Sequence, residues 1–182
     1  SRGVIASSAG NHAQGVALSA SFLKCRSVIV MPLTTPVMKI RAVESHKAEV
    51  ILFGETYDEC YERALEISKE KDLPFIHPFD EPEVIAGQGT IGLEILRHSH
   101  TPPDAIYIAV GGGGLIAGVS ASVTALCPET LIIGVEPADA CAMTLSLEAH
   151  KPVAIKRVRI FADRVDVRQV AKQTFSIGNI IC

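Results

Sequence analysis

Short runs of apolar, β-branched residues alternate along the chain with longer stretches in which apolar positions recur every three to four residues. The short runs predict buried β-strands: Ser27–Met31, Val50–Phe53, Phe75–His77, Ala105–Val110 and Leu131–Val135. The longer stretches predict helices: Ala13–Leu23, Val37–Ser45, Tyr57–Lys71, Pro82–Arg97, Leu115–Leu126 and Ala142–Ala149. Alternation of this kind is typical of parallel sheets joined by right-handed crossovers, so the predicted fold class is α/β.

A break in this pattern near the middle of the chain indicates a domain boundary. The segment Pro74–Glu83 contains prolines and acidic residues that interrupt the apolar rhythm. We therefore expect two lobes, a small sheet domain at 1–79 and part of a larger domain at 80–182. The acidic residues have no partner motif and are expected to form a solvated face: Asp80, Glu81 and Glu83. From Lys151 onward the pattern predicts no element.

Composition and charge narrow the possible partners. Of the 182 residues, 48% are hydrophobic and 20% are charged, and 17 basic against 20 acidic residues give a net charge of −3. No run of five basic residues occurs, so neither nucleic acid nor a charged membrane surface is an expected partner. The apolar runs are too short to cross a bilayer, and the first residues show no signal-peptide pattern. We expect a soluble protein of a reducing compartment.

The spacing of cysteine and histidine argues against a metal site or a disulfide framework. The cysteines are odd in number and include no C-x-x-C pair. Because their segments are apolar, we expect all of them to be small core residues: Cys25, Cys60, Cys127, Cys141 and Cys182. No histidine has ligand spacing to a second histidine or a carboxylate, so no metal site is predicted.

A strand-to-helix turn near the start of the chain is the first candidate site. The segment Ser7–Gly15 follows the apolar run Gly3–Ala6 and precedes the first predicted helix. At such a turn the backbone N–H groups and the positive end of the helix dipole attract an anion, and Gly10 permits close approach. Ser8 or Asn11 fits equally well as an ordinary helix N-cap.

Four consecutive glycines form the second and stronger candidate site. The run Gly111–Gly114 follows the predicted strand Ala105–Val110 and opens the predicted helix Leu115–Leu126. Successive N–H groups without side chains can form a concave nest for a phosphate, reinforced by the helix N-terminus. The alternative is a tight turn under close strand and helix packing, for which one glycine usually suffices. Anion binding is the favoured interpretation.

The same glycine run also fits a dinucleotide-binding fingerprint. Gly112, Gly114 and Ala117 match the relaxed G-x-G-x-x-A spacing, and Glu136 ends the next predicted strand, where a ribose-binding acid belongs. An NAD-binding module is therefore a competing hypothesis. Two features oppose it: Pro137 directly follows the acid, and the first candidate site is left unexplained.

Taken together, the two loops resemble the fold-type II pyridoxal-phosphate enzymes, and within them the threonine dehydratase (threonine deaminase) family. Ser8–Gly15 and the glycine run with Leu115 carry the resemblance. Further motifs follow in the family's order, over roughly residues 1–175: Met31–Pro36, Pro78–Asp80, Gly87–Gly92 and Gly134–Pro137. The resemblance implies a two-lobed fold with pyridoxal 5'-phosphate in the cleft between the lobes.

The resemblance also implies roles for individual residues. The cofactor phosphate is expected to bind the backbone of the glycine run and its successor: Gly111, Gly112, Gly113, Gly114 and Leu115. Asn11 is expected to bond the ring hydroxyl. The substrate carboxylate is expected to bind the first loop: Ser8, Ala9, Gly10, Asn11 and His12. We expect His12 to pack or to form a hydrogen bond there, because a general base at this position is the less common role.

The activity that the resemblance implies is deamination of L-threonine, with L-serine as a possible second substrate, to 2-oxobutanoate and ammonia in isoleucine biosynthesis. A small amino-acid substrate, a homo-oligomer at full length, and a cytoplasmic or plastid location are implied with it. The family's Schiff-base lysine belongs to a Ser-Phe-Lys motif that would precede Ser1. We therefore expect this chain by itself to form no Schiff base with the cofactor.

Near the C-terminus the chain departs from the family pattern. Phe161–Val167 carries Arg164 where the family has glycine and Asp166 where it has alanine. We interpret the chain as a partial or diverged catalytic core. A third hypothesis, a non-catalytic remnant of the family, predicts exposed apolar surface where absent segments would pack.

Gly87 and Gly89 interrupt the predicted helix Pro82–Arg97. Each glycine within a helix costs about 1 kcal/mol relative to alanine, which indicates a structural or functional reason. A position near the bound cofactor and close packing of two helices explain them equally well.

Overall fold

The structure is a computed structural model, and it describes residues 2–155 and 170–181. The chain divides into two compact units, Ser1–Pro78 and Phe79–Cys182. The sequence placed Phe79 at the end of the first lobe, whereas here it begins the second unit. Each unit alternates strands and helices, and the predicted α/β class is confirmed.

The first unit is built on a three-stranded parallel sheet. Its elements in chain order are β1 (Val4–Ser7), α1 (Asn11–Phe22), β2 (Ser27–Met31), α2 (Val37–Glu44), β3 (Glu49–Leu52) and α3 (Tyr57–Lys71). The sheet order is β1-β2-β3, and Ile5 lies opposite Val28 while Ile29 lies opposite Val50. All five residues of β2 are buried, because helices cover both faces of the central strand.

The two faces of this sheet have separate cores. One face packs Ile5, Val28 and Val30 against α3, and the other packs Ile29 and Met31 against α1 and α2. The carboxyl end of β1 leads directly into α1, so the first candidate loop lies at the edge where parallel strands end. Ligand sites in α/β sheets characteristically lie at this edge.

The start of α3 is fixed by a capping box. The Glu59 N–H donates to the Thr56 hydroxyl, while the Glu59 carboxylate accepts from the N–H groups of Glu55 and Thr56. These donors, together with the Thr56 hydroxyl, hold the pKa of Glu59 below its ordinary value. The helix ends with Asp72 in the left-handed conformation.

In its described residues, the second unit contains a two-stranded parallel sheet and four helices. Its elements in chain order are α4 (Pro82–His98), β4 (Ala105–Ala109), α5 (Gly114–Leu126), β5 (Leu131–Val135), α6 (Ala142–Glu148) and α7 (Lys172–Ile181). The core groups Ile108 and Val110 with Val119 and Val123 of α5, and with Phe175 of α7. The helix α7 lies in the stretch for which the sequence predicted no element.

Helices α4 and α5 pack against each other through glycine. A Cβ added at Gly118 would lie 2.2 Å from the Ile85 carbonyl oxygen and 2.7 Å from the Gly89 nitrogen. A Cβ at Gly89 would lie 3.0 Å from the Gly118 carbonyl oxygen, whereas one at Gly87 would meet no atom within 4 Å. Close helix packing therefore accounts for Gly89, and the geometry of Gly87 demands no glycine.

Two expectations from the sequence are wrong in detail. The segment Phe75–His77 forms an isolated bridge between Phe75 and Ile5 instead of a strand, because Pro74 and Pro78 on either side lack N–H donors. Only Cys60 is fully buried among the cysteines that the structure describes, and three others are half-buried: Cys25, Cys127 and Cys141. Cys182 and the departures at Arg164 and Asp166 within Phe161–Val167 lie outside the described residues.

The strands β4 and β5 were predicted to be buried, and one of their faces is exposed. Tyr107, Leu131 and Val135 are 71%, 63% and 49% exposed. Helices in the described part of the second unit pack on the opposite face, where Ile106, Ile108 and the other core residues lie. The apolar face fits the exposed surface that the remnant hypothesis predicts, and it fits an incomplete catalytic core equally well.

Across residues 2–155 and 170–181, no helix combines the length and the apolar character needed to cross a membrane.

Candidate functional site

The first candidate site is the turn between β1 and α1, which we call the asparagine loop (Ser8–His12). The Gly10 N–H donates to the Ser8 hydroxyl oxygen at 3.1 Å, which closes a tight turn after the strand. Gly10 is the N-cap of α1, and no side chain forms a capping hydrogen bond there. The alternative in which Ser8 or Asn11 is the N-cap is therefore wrong.

The N-terminus of α1 is suited to an anion. Its first turn contains no acidic residue, and the helix dipole places partial positive charge at this end. A Cβ added at Gly10 would find no heavy atom closer than the Ser8 hydroxyl oxygen at 3.9 Å. The space beside Gly10 is thus open, as the approach of a ligand to this backbone requires. Asn11 at the start of the helix is exposed.

A hydrogen bond from His12 links the asparagine loop to another segment of the first unit. Its Nε2 lies 3.0 Å from the carbonyl oxygen of Ile76. Since a carbonyl oxygen only accepts, Nε2 carries a proton and donates it in this contact. The ring thereby holds the asparagine loop in place, which is the hydrogen-bonding role expected of it.

Ser7, the last residue of β1, is a feature that the sequence did not reveal. Its side chain is fully buried, and within the described part of the chain its hydroxyl has no hydrogen-bond partner. An unpartnered buried hydroxyl is destabilising, and such groups are rare in folded proteins. No sequence signal distinguishes Ser7 from Ser8, because the difference lies in which way each side chain points.

The second candidate site is the glycine loop (Gly111–Gly114) between β4 and α5. Added Cβ atoms at its glycines would collide with protein atoms. At Gly112 the Cβ would lie 2.5 Å from the Phe79 ring, and at Gly114 2.8 Å from the Phe79 Cβ. At Gly113, with φ of +93°, it would lie 2.7 Å from Met143 Cε. The alternative of close packing therefore accounts for three of the four glycines.

Close packing leaves the donors of this loop in place. Gly113 is the N-cap of α5, and the Ala117 N–H donates to its carbonyl oxygen at 2.9 Å. In the first turn of α5, the N–H groups of Gly114, Leu115 and Ile116 have no acceptor within the helix. No side chain caps this end and no acidic residue lies in the first turn. The donor set and the helix dipole fit a phosphate group.

Helix α7 contacts the glycine loop through a hydrogen bond. Thr174 is fully buried, and its hydroxyl lies 2.8 Å from the Gly112 carbonyl oxygen. Asp80 accepts a hydrogen bond from the Gln173 N–H at 3.1 Å near the start of α7. Asp80, which was expected to lie on a solvated face, therefore also anchors the start of a helix. Thr174 was missed because it lies in the stretch without a predicted element.

Glu136 has a structural role at the start of α6. Its Oε1 accepts from the Met143 N–H at 2.8 Å, and its Oε2 accepts from the Thr144 N–H at 2.8 Å and from the Thr144 hydroxyl at 2.7 Å. Both carboxylate oxygens are engaged with the helix. The dinucleotide hypothesis needs this acid for a ribose, so the structure does not support it.

Comparisons with known proteins place this geometry in context. The family model described as pyridoxal-phosphate dependent enzyme matches residues 1–179. The chain is 56% identical over 177 residues to "Threonine dehydratase biosynthetic, chloroplastic" of Arabidopsis thaliana, covering 97% of the chain and 30% of that protein. It is 51% identical over 179 residues to a biosynthetic L-threonine dehydratase of Burkholderia multivorans, covering 97% of the chain and 35% of that protein.

Solved structures of related enzymes have a closely similar fold. The processed form of threonine deaminase isoform 2 from Solanum lycopersicum has a TM-score of 0.93 at 50% identity, over 98% of this chain and 52% of that one. Maize serine racemase has a TM-score of 0.92 at 29% identity, over 100% of this chain and 54% of that one. The chain thus spans about a third of the length of the curated relatives above.

Proposed function

The chain belongs to the pyridoxal-phosphate dependent enzyme family, and we propose that it provides the phosphate loop and the substrate loop of a threonine dehydratase. The proposed reaction converts L-threonine to 2-oxobutanoate and ammonia in isoleucine biosynthesis. L-Serine lacks one methyl group of threonine, and such a difference discriminates by only about 1–3 kcal/mol, so serine is the expected second substrate.

The observation that carries the proposal is the start of α5. Backbone N–H groups of Gly114, Leu115 and Ile116 lie in an uncapped first turn, directly after a glycine run that packing holds in place. We assign the cofactor phosphate to these donors together with the glycine loop. A rigid set of amides needs no reorganisation when it binds an anion, which favours tight and oriented binding.

The asparagine loop is assigned to the substrate. The Ser8 hydroxyl accepts a hydrogen bond from the Gly10 N–H, so its own proton remains to donate to a carboxylate oxygen. The open space at Gly10 lets the carboxylate approach the backbone at the start of α1. The Asn11 side-chain amide is assigned to the ring hydroxyl of the cofactor.

When bound, pyridoxal phosphate supplies an electron-withdrawing ring that stabilises negative charge at the substrate Cα. The contribution of the chain is orientation. The glycine loop is assigned to the cofactor phosphate and the asparagine loop to the substrate carboxylate, and each loop limits the rotation of the group that it holds. A lysine is required as base and as covalent partner of the cofactor, and the Ser-Phe-Lys motif that carries it in the family does not occur in this chain.

A segment exchange tests the activity. The aligned segment of the Arabidopsis dehydratase is replaced by this chain, and formation of 2-oxobutanoate from L-threonine is measured together with pyridoxal-phosphate absorbance. We expect an active chimaera, a large loss of activity on Asn11→Ala, and no loss on Ser19→Ala, a change at an exposed position of the same helix. A folded chimaera that binds the cofactor but leaves threonine unchanged contradicts the proposal.

We further propose that the complete protein is a homo-oligomer that acts on a small amino acid in a reducing compartment, the cytoplasm or a plastid. The relatives in plants with chloroplastic names support the plastid as one location. Light scattering of the complete protein measures its oligomeric state, and a monodisperse monomer contradicts this part of the proposal.

A further inference from the structure

We propose that Thr174 is a positioning residue that directs the Gly113 N–H of the glycine loop toward the bound phosphate. This inference rests on the function proposed above, because it assumes that the glycine loop binds a phosphate. Thr174 lies in α7, far along the chain from the loop, and neither the motifs nor the charge pattern assigns it a role.

The first step of the argument is the contact itself. The Thr174 side chain is fully buried, and its hydroxyl lies 2.8 Å from the Gly112 carbonyl oxygen and 3.1 Å from the Ala171 carbonyl oxygen of its own helix segment. A hydroxyl has one proton to donate. The shorter distance favours the bond to Gly112, so α7 holds one particular carbonyl group of the loop.

The second step is the planarity of the peptide. The carbonyl of Gly112 and the N–H of Gly113 belong to one peptide unit, which is trans like every other peptide bond in the described chain. In a trans unit these two groups point in opposite directions. A hydrogen bond that holds the Gly112 oxygen against α7 therefore turns the Gly113 N–H away from α7.

The third step is that this peptide needs such a restraint. Both of its neighbouring residues are glycines, which occupy more of backbone conformational space than any other residue. Gly113 has φ of +93°, in the left-handed region. Phe79 and Met143 fill the space beside these glycines, whereas the Thr174 hydroxyl bonds the Gly112 oxygen itself and so fixes the direction in which the Gly113 N–H points.

The hydroxyl and the bulk of Thr174 can be separated experimentally. A Cβ added at Gly113 would lie 2.9 Å from both the Thr174 Cβ and its hydroxyl oxygen, so the side chain also fills space against the loop. Thr174→Ser and Thr174→Ala both remove the methyl group and differ from each other only in the hydroxyl. Ser176→Ala is the matched control, because the Ser176 hydroxyl donates within α7 to the Lys172 carbonyl oxygen.

The experiment measures binding of pyridoxal phosphate and of inorganic phosphate to the full chain and its variants, by titration and by the amide NMR shift of Gly113. We expect Thr174→Ala to weaken binding of both probes about tenfold or more, equivalent to about 1.4 kcal/mol, because the Gly113 N–H is no longer held toward the phosphate. Thr174→Ser is expected to stay within about threefold of the wild type, a factor worth less than 1 kcal/mol. Ser176→Ala is expected to match the wild type.

The Gly113 amide separates a positioning role from a merely structural one. Phosphate is expected to shift this resonance in the wild type and in Thr174→Ser, and to leave it in place in Thr174→Ala. If the wild type binds both probes and Thr174→Ala binds them equally well with the same shift, the positioning role is overturned and the phosphate loop stands. If the folded wild type binds neither probe, the proposed function fails and this inference fails with it. If Thr174→Ala does not fold, Thr174→Val takes its place in the same comparison, because it lacks the hydroxyl and keeps the branched shape.

Discussion

The contact between α4 and α5 makes a strong prediction for Gly118→Ala. The new Cβ would lie 2.2 Å from the Ile85 carbonyl oxygen and 2.7 Å from the Gly89 nitrogen. Cβ atoms in real structures keep at least 3.0 Å from other heavy atoms, so the shortfall is about 0.8 Å by that criterion. Both obstructing atoms belong to the backbone, and no side-chain rotation relieves the clash. The two helices have to move apart.

The expected cost follows from two opposing effects. Overpacking a closely packed contact typically costs about 1–3 kcal/mol, and the clash with backbone places this one at the upper end. Alanine in a helix regains about 1 kcal/mol relative to glycine. We therefore expect Gly118→Ala to lower the free energy of unfolding by about 2 kcal/mol in net terms.

Urea unfolding followed by circular dichroism measures this difference. Gly87→Ala is the matched control, because Gly87 lies exposed in α4 and a Cβ there meets no atom within 4 Å. This variant is expected to gain up to about 1 kcal/mol from helix propensity alone. If Gly118→Ala proves as stable as Gly87→Ala, the helices do not pack as closely as described and the reasoning is refuted.

Three further predictions concern single side chains of the first unit. Ser7→Ala removes the unpartnered buried hydroxyl and should raise the free energy of unfolding by about 1 kcal/mol in urea titrations, whereas a loss of stability would reveal a partner for that hydroxyl. Donors in the capping box lower the pKa of Glu59 from 4.5, so the ionised carboxylate stabilises the fold above that value, and this stabilisation is lost as the pH falls through the folded-state pKa. Thermal melts across this pH range should show that the stability deficit of Glu59→Gln shrinks in acid, and a constant deficit would contradict the assignment. Burial raises the pKa of Cys60 to about 11, so iodoacetamide at about pH 8 should label it far more slowly than the half-buried Cys25, as read by mass spectrometry, and equal rates would contradict this burial.

Local signals were enough for most of the fold. The bounds of β2 and α3 agree with the prediction, because β2 is a continuous apolar run covered on both faces and α3 has an amphipathic pattern between two clear caps. The other predicted helices and the remaining strands lie within two residues of their expected bounds, apart from the bridge at Phe75. Prolines on both sides of that segment outweighed its β-branched and aromatic character.

Contacts distant in sequence could not be predicted. The positions of both loops follow from the residues that form them. The atoms that pack against the glycine loop come from Phe79, Met143 and Thr174, which lie on three separate segments. No periodicity links these segments to the glycines. The burial of Ser7 and the capping role of Asp80 were missed for the same reason, since each depends on how the chain folds back on itself.

The two loops use glycine for opposite physical reasons. At Gly10 the space beside the backbone is open, so the absence of a side chain leaves room for something other than the protein itself. At Gly112 and Gly114 the space is filled by Phe79, so the absence of a side chain lets the protein pack against its own backbone. A loop of the first kind remains accessible, and a loop of the second kind becomes rigid. An enzyme that holds a cofactor through many turnovers while exchanging its substrate needs both properties. The rigid loop is therefore the one assigned to the phosphate, and the accessible loop the one assigned to the carboxylate.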